Sequence, residues 1–109
     1  MTKEQYFQAL HEIQAPLRAQ QLVVSGVAKK HGLGSYQYNQ ESKREAQIIT
    51  NLYLKEMELL WRFRTACYVE LVKTKGKDVV LQIIINEGKQ CEEQYKNDWR
   101  NVYKTINAL

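Results

Sequence analysis

The sequence predicts an all-α fold, an elongated up-down-up bundle of three long antiparallel helices, the first kinked or broken near Pro16. Three observations carry this expectation. Apolar residues recur at spacings of three and four through three long stretches, which sets them on one face of a helix. One proline and five glycines among 109 residues leave few breaks, which favours long helices over many short strands. Helix start and stop signals fall at the ends of the three stretches.

In the first stretch Thr2 and Gln5 form a T-x-x-Q capping box. Tyr6, Leu10, Ile13, Leu17, Gln20, Val24 and Val27 then step alternately by four and three. That is a heptad seam with one polar break, Gln20. Pro16 lies inside it. A proline there removes one backbone hydrogen bond and clashes with the preceding turn, so a kink or break is expected near Ala15. The seam keeps its phase across Pro16, which favours a kink in one helix over two short helices. Gly32 is placed to end the helix, and Lys29, Lys30 and His31 suit the negative end of its dipole. Residues 31–39 read as a loop, long for a helix connection and carrying Tyr36 and Tyr38 as contact candidates.

The second stretch, Glu41 to Lys75, is the element the others pack along. Its apolar positions run through Ile48, Ile49, Leu52, Tyr53, Met57, Leu59, Leu60, Phe63, Ala66, Cys67, Leu71 and Val72. Ser42 and Glu45 make an S-x-x-E start signal, and Gly76 follows the end. Such a helix runs roughly 50 Å and cannot bury its stripe alone. In the third stretch Asp78 is the cap. Val80, Ile84, Gly88, Cys91, Tyr95, Trp99, Val102 and Ile106 keep helical phase, which rejects a strand over residues 79–85 despite its β-branched content. Glu92 and Lys96 read as an i,i+4 pair. Folding the chain at its two turns sets Leu17, Tyr53 and Trp99 in one layer and Phe63 opposite Gly88. Close approach of an aromatic ring would account for a glycine that otherwise costs about 1 kcal/mol in a helix.

Composition bounds the rest. The chain suits one domain, residues 1–109, with 44% hydrophobic and 26% charged residues. No apolar run approaches the eighteen or so residues that cross a bilayer, and the N-terminus lacks the order of a signal peptide. A cytoplasmic protein without membrane contact is expected. Cys67 and Cys91 fall on the order of 10 Å apart along the hairpin, too far for a disulfide, and read as reduced thiols in or near the core. A net charge of +4 permits an acidic partner without demanding one.

No motif for metal, nucleotide or covalent catalysis is present, so no catalytic, cofactor-binding or metal-ligating residue is assigned and no cofactor is expected. His11 and His31 have no third ligand in phase. The leading expectation is a small non-enzymatic interaction protein, an adaptor, inhibitor or regulator that binds another macromolecule through helical surfaces. The second and third helices overhang the first, leaving an apolar tip around Gly76. Leu71, Val79, Val80, Ile83 and Ile84 are its contact candidates, and a second copy of the chain is the simplest cover, giving a homodimer. A second expectation is a nucleic-acid-binding accessory protein. It would use a basic end formed by Lys29, Lys30, Tyr36, Tyr38, Lys43, Arg44, Arg100 and Lys104, where cations interleave with aromatics.

A third expectation comes from a resemblance. Arg18, Lys29 and the Arg44-Glu45 pair, with Glu92 on the last helix, resemble the anion-binding pocket of the all-helical chorismate mutases. The resemblance implies a small, dimeric, metal-free enzyme. It covers about half the chain. The N-terminal arginine expected on the first helix is missing, and the second helix is much longer than in that family.

Overall fold

The computed structural model describes all 109 residues and is all-helical, with no strand. Five α-helices replace the expected three: α1 (Lys3–Ile13), α2 (Ala15–His31), α3 (Tyr36–Lys75), α4 (Lys77–Gln90) and α5 (Lys96–Asn107). A short 3-10 turn, Glu93–Tyr95, precedes α5. No helix is long and apolar enough to cross a membrane.

Pro16 divides the first stretch with a minimal break. Gln14 alone leaves the helical pattern, at φ −85° and ψ 0°. Its N–H still donates to the Leu10 carbonyl at 3.0 Å, and its own carbonyl accepts from Arg18 at 3.1 Å. The bond that Pro16 cannot make is therefore the main loss. The seam keeps its phase across the break. Tyr6, Leu10, Ile13, Leu17, Gln20, Val24 and Val27 are all partly buried, and none is fully buried.

The connection to α3 is shorter than expected. Gly32, at φ +86°, ends α2 and donates to Ala28 O at 2.9 Å. Ser35 is the true start signal, because its Oγ accepts the Tyr38 N–H at 3.1 Å. Ser42 and Glu45 lie inside α3, so the capping box assigned to them is overturned, and Tyr36 and Tyr38 belong to the first turn of a helix. Gly76, at φ +87°, stops α3 and donates to Val72 O at 2.9 Å. Only glycine adopts that conformation without strain. It also precedes α4 directly, so Asp78 sits in the first turn of α4 and is not its cap.

The largest correction concerns the third stretch. Its stripe is continuous, but its helix is not. Cys91 turns to extended backbone, φ −76° and ψ 161°, and the chain doubles back. Two contacts fix α4 and α5 as antiparallel. Lys96 Nζ donates to Gly88 O at 3.1 Å near the turn, and Lys77 Nζ donates to Leu109 O at 3.0 Å at the far end. Glu92 precedes the helix, so the Glu92–Lys96 pair does not form.

The chain divides into two compact units, Glu4–Leu59 and Leu60–Leu109, with Met1–Lys3 grouped with the second. The helix α3 runs through both. The second unit holds the core: Val80, Ile84, Trp99, Val102 and Ile106 are buried together. Trp61, Tyr68, Val69, Leu71 and Val72 of α3 pack against them. Trp99 meets Trp61 edge-on at 5.1 Å between ring centroids and Tyr68 at 6.0 Å. The Arg64 guanidinium lies 4.7 Å from the Trp61 ring centroid, a cation–π contact. Phe63 is only partly buried and outside this cluster, and Tyr53 is exposed, so neither holds its expected core place. Trp99, not Phe63, faces Gly88.

The first unit is built differently. Only Leu52 and Leu59 are buried in it. Its clearest link between helices is polar. Gln20 Nε2 of α2 donates to the Glu41 carbonyl oxygen at 3.0 Å and to Glu41 Oε2 at 2.8 Å. Arg44 holds the other carboxylate oxygen of Glu41 at 3.1 Å. The polar break in the seam is thus the residue that fastens α2 to α3.

Candidate binding surfaces

The expected tip surface is largely closed. Val80 is 0% and Ile84 1% exposed, because α5 folds back and lays Val102 and Ile106 over them. Leu71 and Ile83 are partly buried, and Leu71 belongs to the packing around the core. Of the five tip candidates only Val79 is exposed. Val80 and Ile84 are thus covered within the chain, while Val79 stays exposed and Leu71 and Ile83 stay partly exposed.

The expected basic surface is divided. Lys29 and Lys30 are exposed at the end of α2; Tyr36, Tyr38, Lys43 and Arg44 lie in the first turns of α3. Arg100 and Lys104 lie on α5, in the other compact unit. Arg44 is engaged by Glu41. The residues that resemble the chorismate mutase pocket are divided too. Arg18, Lys29, Arg44 and Glu45 fall in the first unit and Glu92 in the second, where it accepts a hydrogen bond from Gln94 at 2.7 Å.

Two other surfaces stand out. The first is a face of α3 in the Glu4–Leu59 unit. Ala46, Ile49, Thr50 and Tyr53 recur at three and four residues, and all four are exposed. Ile49 is 49% and Tyr53 48% exposed, and Met57 continues the stripe. Thr50 Oγ1 donates back to Ala46 O at 3.1 Å, so its hydroxyl is satisfied within the helix. A shallow depression on this helix is lined by Ala46, Gln47, Thr50 and Asn51 alone. The spacing was visible in the sequence; that these four residues stay exposed was not.

The second is a groove of about 300 Å³ along the α4–α5 hairpin. Ile84, Ile85, Gly88, Trp99 and Tyr103 provide its apolar wall, and Lys89, Lys96 and Arg100 its charges. Sequence reading missed it, because it exists only once α5 doubles back. The spacing of Lys96 and Arg100, one turn apart, was its only early sign. A shallower hollow of about 410 Å³ lies between α3 and α5, where Trp61 and Thr65 face Asn101 and Thr105.

Among titratable groups, burial pushes the Tyr68 hydroxyl above the ordinary phenol value. The nearby Glu87 charge adds to this, the Arg64 guanidinium opposes it, and Cys67 adds a smaller rise. Both cysteines are free. Cys67 is exposed, against expectation, while Cys91 is partly buried and donates to Gly88 O at 3.3 Å. No protein-family model, curated protein or solved structure matches this chain.

Proposed function

We propose that the protein is a non-enzymatic interaction protein that docks an amphipathic helix of a protein partner on the open face of α3. The observation that carries this reading is the exposed stripe Ala46, Ile49, Thr50 and Tyr53, continued by the partly buried Met57, in a unit that buries only two residues of its own. Ridges at three and four residues accept a second helix, and the small side chains of Ala46 and Thr50 let its backbone come near. Apolar side chains repeated along one helix face are what such recognition requires. Scattered exposed residues such as Leu22 and Leu54 need no such account.

The test is a double substitution, Ile49→Lys with Tyr53→Lys, on the open face. Both side chains are about half exposed, so the fold should persist by circular dichroism. Affinity capture from the native host should yield a stoichiometric protein with the wild type and lose it with the variant. Equal capture by both would refute the surface. A second copy of the chain could also fill it, giving a two-fold pair. Sedimentation velocity at tens of micromolar separates that case: a wild-type dimer dissociated by the double substitution assigns the face to self-association.

A further inference from the structure

We infer that the groove on the α4–α5 hairpin binds a small amphiphilic anion: an apolar body of roughly a dozen non-hydrogen atoms ending in a carboxylate or similar acidic head. The site lies wholly within the Leu60–Leu109 unit and is independent of the helix-docking face.

Its shape and charge carry the assignment. The volume of about 300 Å³ sits at the small end of ligand pockets. Its wall is apolar and aromatic, with Trp99 and Tyr103 on one side and Gly88 opening the other. A Cβ at position 88 would sit 3.6 Å from the Trp99 Cβ, an ordinary contact, and its absence leaves that much more room in the groove. Three cations, Lys89, Lys96 and Arg100, line the groove, and no carboxylate does. Lys89 and Arg100 form no hydrogen bond or ion pair in the chain. Lys96 gives one donor to Gly88 O and keeps two. Three like charges around one apolar hollow raise the local potential for an anion.

This arrangement selects for both halves of the ligand. A simple inorganic anion would leave the aromatic wall wet. A neutral apolar molecule would leave the cations unmatched. A carboxylate on a hydrocarbon or aromatic body satisfies both, with the body against Trp99 and Tyr103 and the head between Lys89 and Arg100.

The experiment uses the isotope-labelled full chain and amide chemical shifts. Three probes are titrated at low salt: decanoate, 2-naphthoate and the uncharged decanol. Saturable shifts are expected at Gly88, Lys89 and the Trp99 indole for the two acids, with decanol at least about tenfold weaker. The tighter of the two acids tells whether the body is a chain or a ring. The double substitution Lys89→Gln with Arg100→Gln alters exposed side chains and should leave the spectrum otherwise intact. It should weaken the acids by about tenfold and bring them level with decanol. Raised salt should act in the same direction. Decanol binding as tightly as decanoate, shifts centred elsewhere, an unaffected double variant, or no saturable shift would each overturn the inference.

Discussion

From Leu60 onward, apolar residues of three helix segments close on one another until Val80 and Ile106 are wholly out of solvent. Before Leu60, a seam of equal regularity stops at partial burial, and Leu22, Leu54 and Tyr36 stand more than two-thirds exposed. Both regions obey the same periodicity. The difference is the number of faces brought together. The Leu60–Leu109 unit has three segments around one centre, whereas the Glu4–Leu59 unit leaves Ile49 and Tyr53 of α3 about half exposed and fastens α2 with a glutamine. Periodicity says which face of a helix is apolar. It does not say whether that face is covered.

The largest expected effect is in the core. Trp99→Ala should cost about 3–5 kcal/mol in denaturant melts, since the ring meets both Trp61 and Tyr68. Leu54→Ala, at a residue 70% exposed, should change stability by less than about 0.5 kcal/mol. Comparable losses at the two sites would erase the contrast between the units. Phe63→Ala should fall between them.

Gln20→Ala should follow at about 1–2 kcal/mol, because it strips two hydrogen bonds from Glu41, whose side chain is 17% exposed. Its effect should be confined to the Glu4–Leu59 amides by hydrogen exchange. A uniform effect along the chain would mean that the clamp is not local. Gly88→Ala tests the hairpin in the opposite direction. The new methyl meets Trp99 Cβ at 3.6 Å, an ordinary contact, and helix propensity improves by up to about 1 kcal/mol. A marked loss would show that the two helices cannot accept even that carbon.

The smallest effect concerns pH. The Tyr68 hydroxyl titrates above its ordinary value in the folded protein, so the folded state holds its proton more tightly than the unfolded chain. That contribution is complete below the unfolded value near 10 and is lost as pH rises through the folded value. Thermal melts of wild type and Tyr68→Phe from pH 9 to 11 should show a steeper alkaline loss in the wild type. Parallel curves would remove Tyr68 from the account.

Much of the fold was legible in particular residues. Gly32 and Gly76 ended helices where expected, and every seam position from Tyr6 to Val27 took its place on the partly buried face, while Pro16 split the helix that the unbroken phase of the seam had favoured as one kinked element. The turn at Cys91 was not legible. No proline marks it, and the stripe from Gly88 through Cys91, Tyr95 and Trp99 keeps helical spacing across it. What makes the turn is tertiary: Cys91 and Lys96 share the Gly88 carbonyl, and α5 gains the core by folding back. The only local hint was Gly88 itself, a weak helix residue three before the break. Misreading that turn moved the apparent binding surface to the tip, where Val80 and Ile84 are in fact core. Likewise Ser35 is followed three residues on by Tyr38 instead of an acid, so it carries no capping-box signal in the sequence.

Native-state hydrogen exchange along α3 tests the central claim most directly, because one continuous helix samples both units. A step in protection is expected near Leu60. Amides from about Trp61 to Val72 should exchange only through global unfolding, and those from about Arg44 to Leu54 through smaller, local openings. Uniform protection along α3, or stronger protection before Leu60 than after it, would contradict it.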